Sequence, residues 1–132
     1  MNLLSIYAPI LNTSQFLGQI LKAAFLKCKN LEKVIFAKQS RATTIRVKAF
    51  QCCSSLQSIT IPPGIKNIRK SAFARCTELE NVTFQSESDL EEIGVCSFKR
   101  CSSLQSISMP SNTKIILKGA FLRYPSERCS FS

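Results

Sequence analysis

The sequence of 132 residues contains no histidine. Histidine is the commonest general base, the usual partner of a Ser or Cys nucleophile and the commonest metal ligand. The sequence also lacks the G-x-S-x-G, G-x-x-x-x-G-K-[ST] and H-E-x-x-H motifs, which mark hydrolases, phosphate-binding loops and zinc proteases. We therefore expect a protein that is not an enzyme and that binds no cofactor and no metal.

Long apolar runs are also missing, since none approaches the roughly 20 residues of a transmembrane helix. The first dozen residues lack Lys and Arg, and Pro9 and Asn12 interrupt their apolar stretches, so they do not have the form of a secretory signal. An export signal in a longer gene product is an alternative. With 45% hydrophobic and 20% charged residues, the chain has the composition of one globular domain.

Acidic residues are few: eight Asp and Glu stand against eighteen Lys and Arg, giving a formal charge of +10. Such an excess favours anionic partners such as nucleic acid, sulfated glycans or acidic membranes, but it also simply keeps a protein soluble. The charges are scattered, with no run of five or more, and we prefer the solvated-surface interpretation.

The most prominent feature of the sequence is an internal repeat. A small residue followed by Phe recurs at intervals of 25, 23, 25 and 23 residues, at Phe25, Phe50, Phe73, Phe98 and Phe121. Three residues later stand Cys28, Cys53, Cys76, Cys101 and then Tyr124. Five residues before each Phe stands Ile20, Ile45, Ile68, Ile93 or Ile116. Several positions of the repeat carry the same residue type in four or five copies, which excludes coincidence.

The repeat predicts a solenoid. Leu56-x-x-Ile59-x-Ile61 has the L-x-x-L-x-L pattern of a leucine-rich-repeat strand, and the Ala-Phe-x-x-Cys-x-x-Leu segment suits a short helix or 3-10 turn. We expect a short parallel β-sheet on the concave side, helical or 3-10 turns opposite, and a spine of stacked phenylalanines. The predicted units are a degenerate or truncated repeat at 1–23, four to five repeats of 23–25 residues at 24–124, and a tail at 125–132.

The motif A-F-x-x-C-x-x-L-x-x-I-x-I-P, at Ala49 to Pro62, resembles the BspA-type leucine-rich repeat. The resemblance implies an adhesin-like surface antigen that binds a host protein or a glycan, located at the cell surface or secreted. Because the chain shows neither a signal peptide nor a membrane anchor, a cytoplasmic scaffold or regulatory binder is the alternative. A variant of that alternative contacts polyanions through a basic stripe.

Four of the seven cysteines, Cys28, Cys53, Cys76 and Cys101, share one coil position and should form a ladder inside the core. Buried free thiols are the preferred interpretation, since free Cys behaves as a small apolar residue. Disulfides remain an alternative, and metal binding a weaker one, because no C-x-x-C pair exists. Cys52 and Cys129 are the candidates for exposed, reactive thiols.

Outward strand residues form the predicted partner site on the concave face: Lys33, Ile35, Ser58, Thr60, Asn81, Thr83, Ser106 and Ser108. Repeat proteins usually bind through this face. The alternative is that Ser and Thr simply suit an exposed sheet. No Trp or Tyr is present there to anchor a tight interface.

A second candidate is a basic stripe close to the phenylalanines, formed by Lys27, Arg75, Lys99, Arg100 and Arg123. A regular stripe could follow a polyanion, although nucleic acid is disfavoured because no aromatic residues are interleaved for base stacking. A solvated surface is the preferred alternative. The acidic residues Glu87, Asp89, Glu91 and Glu92 lie in one long loop with no nucleophile beside them, so we assign them no catalysis.

Overall fold

We describe the fold from a computed structural model. It describes residues 24–36, 42–105 and 107–123, and the backbone of residues 10–11 and 19–20. The described strands are β1 (Ile10–Leu11), β2 (Gln19–Ile20), β3 (Lys33–Phe36), β4 (Thr44–Ile45), β5 (Ser58–Ile61), β6 (Asn67–Ile68), β7 (Asn81–Phe84), β8 (Glu92–Ile93) and β9 (Ile115–Ile116).

The strands form two parallel sheets. The longer strands make a four-stranded sheet in the order β1-β3-β5-β7, and the two-residue strands make a five-stranded sheet in the order β2-β4-β6-β8-β9. Each strand pairs with the equivalent strand of the neighbouring coil, as in Ile59 with Val82 and Ile45 with Ile68. The predicted solenoid with a parallel sheet is therefore confirmed. The second sheet was not predicted, because a two-residue strand has too few residues to show a period of two.

The segments around the phenylalanines form a third ladder. We call it the turn ladder; it runs from four residues before each Phe to four after it, over 24–29, 46–54, 69–77, 94–102 and 117–123. Within a coil, overlapping turns join a carbonyl to the amide three residues on, as in Lys48 to Gln51 and Phe50 to Cys53. Between coils, the Phe50 amide donates to the Ala72 carbonyl at 2.7 Å. Three sides of the described coils, two strands and one turn segment, are thus hydrogen-bonded to the neighbouring coils.

The turns explain why the predicted helical segment is not helical in the described residues, all of which lie in strands, turns or irregular structure. Two positions per coil, two residues before and two after the Phe, adopt positive φ, at 59° for Lys48 and 62° for Cys52. A left-handed residue at the third position of a turn is the signature of a type II turn and interrupts a right-handed helix. Spacing of apolar residues by three fits both structures, so the sequence could not separate them.

The predicted phenylalanine spine is present. Phe50 and Phe73 stack with ring centroids 5.1 Å apart and planes 4° from parallel, and the pairs on either side of them repeat this geometry. Phe50 and Phe73 are fully buried. The core extends from this spine to the inward strand residues, which include Ile45, Ile59 and Leu56.

Two predictions about the ends of the array have different outcomes. Residues 107–110, predicted to continue the four-stranded sheet, form no strand. The segments 1–23 and 125–132 lie mostly or wholly outside the described residues, so their predicted status as a degenerate repeat and a tail stays a prediction. The backbone at 10–11 and 19–20 nevertheless continues both sheets.

The long loop at 85–92 is tied to the coil before it rather than free. The Asp89 amide donates to the Pro63 carbonyl at 2.8 Å, and the Leu90 amide donates to the Ser88 hydroxyl at 3.2 Å. Leu90 and Ser88 are both buried. The two residues added to this copy are therefore accommodated on the surface without breaking the stack.

Replacing Phe73 with Ala should lower the free energy of unfolding by about 3–5 kcal/mol, because it opens a cavity in the middle of the spine. Phe121→Ala is the matched control, since Phe121 lies in the last coil and is only half-buried. Urea unfolding followed by circular dichroism measures both. Equal losses for the two variants would mean that the central stack has no special role.

Candidate functional site

The outward side chains of the four-stranded sheet form two rows across the coils. Sheet register places Lys33 beside Ser58 and Ser58 beside Asn81, and it places Thr60 beside Thr83. The residues between them, such as Ile59, point into the core. We call this surface the sheet face; its described members are Lys33, Ile35, Ser58, Thr60, Asn81 and Thr83. The structure therefore brings these six predicted residues together.

A shallow groove of about 320 Å³ lies on the sheet face between β3 and β5. Its lining includes the predicted residues Lys33, Ile35, Ser58 and Thr60. Ile35 is 44% exposed, and it is the exposed isoleucine of the described sheet face. The groove therefore combines one exposed apolar side chain with hydroxyls and a single positive charge.

Sequence reasoning missed part of the groove, namely Phe36, Pro62, Pro63 and Gln85. Pro62 and Pro63 follow directly after β5, where Pro-Pro-Gly is typical of a turn. These two consecutive prolines are the sequence signal that could have placed rigid residues beside the exposed strand.

The last two predicted members of the site do not join it in the described structure. Ser108 is exposed but lies in an irregular segment, not in a strand paired with β7. Ser106 lies outside the described residues. The prediction assumed that the copy of Phe98 repeats the copy of Phe73, whereas the matching apolar positions Leu104, Ile107 and Met109 do not by themselves produce strand pairing.

The predicted basic stripe lies on the turn ladder, with Lys27, Arg75, Arg100 and Arg123 all two residues after a stacked phenylalanine. Backbone bonds align this position from coil to coil: the Arg75 amide donates to the Lys99 carbonyl at 2.7 Å. Arg123 differs, because its Nη2 donates to the Leu104 carbonyl at 2.9 Å. The stripe is thus a column of equivalent positions that Cys52 interrupts in the coil of Phe50, and its last member makes an internal contact.

The acidic loop contributes to the fold. Glu92 accepts an ion pair from Arg69, with 3.4 Å between Nη1 and Oε1. Both side chains are partly exposed, so the pair adds little stability. Among the described residues, no group of three or more Cys, Asp or Glu side chains is arranged to hold a metal ion.

The cysteine ladder is confirmed for four free thiols at equivalent positions, with Cys53, Cys76 and Cys101 buried and Cys28 half-buried. Each buried thiol has a partner. Cys53 Sγ donates to the Phe25 carbonyl at 3.1 Å, and Cys76 Sγ donates to the Phe50 carbonyl at 3.2 Å. A thiol can therefore hold one coil to the carbonyl of the preceding coil, which an Ala or Val at this position could not do.

Burial governs the chemistry of these thiols. It raises the pKa of Cys53 from 9.0 to about 12, and it also raises the pKa of Cys28. Cys52, predicted to be exposed, is a half-buried free thiol. Cys96 takes part in a disulfide bond, so the preference for free thiols does not extend to it. Cys129 lies outside the described residues.

Residues 10–130 match the BspA type leucine rich repeat region in six copies. Because the match extends over most of the chain, the protein belongs to this family of repeat proteins. The match begins in the segment predicted to be degenerate, where strands β1 and β2 are found. No curated protein matches the chain.

Solved structures of bacterial leucine-rich-repeat proteins share the fold. The T. pallidum protein TpLRR has a TM-score of 0.71 and 33% identity, over 76% of this chain and 45% of its own. A leucine-rich-repeat protein from Eubacterium ventriosum has a TM-score of 0.65 and 27% identity, and the match covers 75% of this chain and 27% of that protein. The pneumococcal vaccine antigen PcpA has a TM-score of 0.59 and 24% identity, and the match covers 72% of this chain and 26% of that protein. At this identity the likeness shows the fold alone. The chain spans less than half the length of each of these proteins.

Within the part of the chain that the structure describes, no helix has the length and apolar character needed to cross a membrane.

Iodoacetamide at pH 8 should label Cys52 in the folded protein and leave Cys53 unlabelled. A pKa of about 12 against 9.0 lowers the reactive thiolate of Cys53 by roughly a thousand-fold. Mass spectrometry of digests made after timed labelling measures both rates, and labelling in urea is the control in which the two should converge. Equal labelling in the folded state would contradict the buried ladder.

Stability should also fall at high pH. The folded pKa of Cys53 lies above the unfolded value of 9.0, so its stabilising effect is complete below pH 9 and is lost as the pH rises towards about 12. Urea unfolding between pH 8 and pH 11 should show a smaller decline for Cys53→Val than for the parent chain. Because Lys and Tyr side chains titrate in the same range, the test is the difference between the two curves. Parallel curves would show that Cys53 does not titrate abnormally.

Proposed function

We propose that this chain is a non-catalytic binding module that recognises a macromolecule, in the first place a protein, through the sheet face. The observation that carries the proposal is the pair of aligned outward rows on the four-stranded sheet, together with the exposed Ile35 beside them. Repeat proteins commonly use such a continuous strand surface for recognition.

The chemistry of the sheet face favours a large partner over a small ligand. The groove is shallow, and hydroxyl, amide and aliphatic groups line it with Lys33 as its single charge. Small-molecule sites are generally concave enough to bury most of their ligand. Low charge across a flat surface is instead typical of the centre of a protein interface.

The sheet face also offers a plausible geometry for affinity. Ile35 can enter a pocket of the partner, while Thr60 and Thr83 provide hydrogen bonds on its flank. Since no large aromatic anchor is available among the described members of the face, we expect micromolar rather than nanomolar binding, about −8 kcal/mol.

An adhesin-like role at the cell surface is the finer form of this proposal. It is supported by membership of the BspA-type family of leucine-rich repeats. The second candidate, an intracellular scaffold or regulatory binder, would use the same face. Antibody staining of intact and permeabilised source cells separates the two, since staining of intact cells supports the adhesin and staining only after permeabilisation supports the scaffold.

Thr60→Lys should weaken binding of the partner by about ten-fold or more, because it places a long charged side chain in the middle of the face. Ser111→Lys is the control, since Ser111 is exposed and lies outside both the sheet face and the turn ladder. Biolayer interferometry against a panel of purified host glycoproteins measures both variants, and Thr83→Lys provides an independent second test of the face. If a glycoprotein bound the parent chain and all three variants equally, the sheet face would not be the binding surface.

A further inference from the structure

Charge is strongly segregated between the sides of the solenoid. Every charged residue in the described turn ladder is Lys or Arg. The described acidic residues all lie outside the ladder, at Glu32, Glu78 and Glu80 and in the loop at 87–92. Among the described residues, the positive charge is therefore concentrated in the turn ladder rather than spread evenly. This segregation does not follow from a solvated surface alone, which would mix both signs.

The core fixes the backbone spacing of the positions that carry these cations. Adjacent phenylalanines are 5.1 Å apart, and Arg75 and Arg100 each follow a stacked Phe by two residues. Like charges held about one coil apart lie well within the Debye length of roughly 8 Å at physiological salt, so they repel one another. An anion of similar spacing would relieve this repulsion.

The two cations at the centre of the ladder are not neutralised internally. Arg75 and Arg100 form no ion pair between described residues, and the ion pair of Arg69 with Glu92 lies at the edge of the ladder. Arg75 is exposed, so its guanidinium is available to a ligand. Arg100 is half-buried, and its buried Nε has no hydrogen-bond partner in the described part of the chain.

The backbone at these positions accepts glycine. Lys27, Arg75 and Arg100 adopt positive φ values of 59°, 62° and 61°, and Cys52 at the same position of its coil has 62°. The left-handed conformation therefore belongs to the turn and not to the charge. Replacing Arg75 or Arg100 with glycine should leave this backbone undisturbed.

We propose that the turn ladder is a second binding site, distinct from the sheet face, and that its ligand is a linear sulfated polysaccharide lying along the stacked coils. A single-stranded nucleic acid fits less well, because it needs exposed aromatic rings, whereas Phe50 and Phe73 are fully buried. A membrane surface also fits less well, because the ladder exposes one large apolar side chain, Leu26, in its described residues.

The test compares the full chain with two double variants of equal charge. Arg75→Gly with Arg100→Gly removes two ladder cations at positions whose backbone suits glycine. Lys66→Gln with Lys114→Gln removes two exposed lysines from the side of the five-stranded sheet. The probe is a size-defined, fully sulfated heparin oligosaccharide, titrated by fluorescence anisotropy between 50 and 300 mM NaCl.

We expect the ladder variant to bind heparin about ten-fold more weakly at physiological salt. The slope of log K against log salt concentration should become less steep by about two, because two charge contacts are lost. The control variant should change by less than about two-fold. Arg75→Gln with Arg100→Gln should reproduce the loss, which excludes an effect of glycine on the backbone. Thermal unfolding by circular dichroism verifies that all variants are folded.

Three results would overturn the proposal. Equal losses in the ladder and control variants would mean that net charge alone attracts the polymer. If an unsulfated polysaccharide with the same backbone bound as tightly, contacts with sulfate groups would not be the basis of recognition. Tighter, ladder-dependent binding of single-stranded RNA or of phosphatidylserine vesicles would assign the surface to that other partner. Because Thr60→Lys leaves the ladder intact, its effect on protein binding is independent of this outcome.

Discussion

The stacking of one coil on the next at about 5 Å is the constraint on which the rest of the structure depends. A single coil has too little apolar surface to form a core, and its backbone polar groups need partners. Parallel strand pairing satisfies the backbone on two sides of the coil, and the turn ladder satisfies it on the third. The spacing required by hydrogen bonds between strands, about 4.8 Å, is also one at which parallel phenylalanine rings can stack. Backbone and core therefore reinforce one another.

This shared spacing turns a repeat in sequence into columns on the surface. A residue type that recurs at one position of the coil becomes a row about 5 Å apart, whether it is a buried thiol, an outward threonine or an arginine. The sheet face and the basic turn ladder arise in this way on different sides of the same core. They differ in chemistry because outward strand positions are small and little charged, whereas the turn positions are cationic. The two proposed binding surfaces therefore do not overlap.

Much of the fold was predictable because its main signals are periodic. Intervals of 23 to 25 residues place every Phe, Cys and Ile in equivalent positions, and a solenoid is the arrangement that buries all of them together. The outward direction of Thr60 and Thr83 follows from strand alternation. Sequence reasoning was less successful where local patterns have two solutions. Residues spaced by three fit a 3-10 helix and a run of type II turns equally, and Ile68 alone does not reveal a two-residue strand.

The sequence by itself determined the repeat, the buried spine, the thiol ladder and the residues that share each column, because these depend on spacing along the chain. The tertiary structure decided which columns become neighbours and what each polar group contacts. It joined Pro62 and Pro63 to the groove beside Ile35, directed Arg123 to the Leu104 carbonyl and left the segment at 107–110 without a strand. The reason is physical: periodicity fixes which residues are equivalent, but the left-handed turns and the cross-coil hydrogen bonds fix how each coil closes, and these depend on contacts between residues more than twenty positions apart.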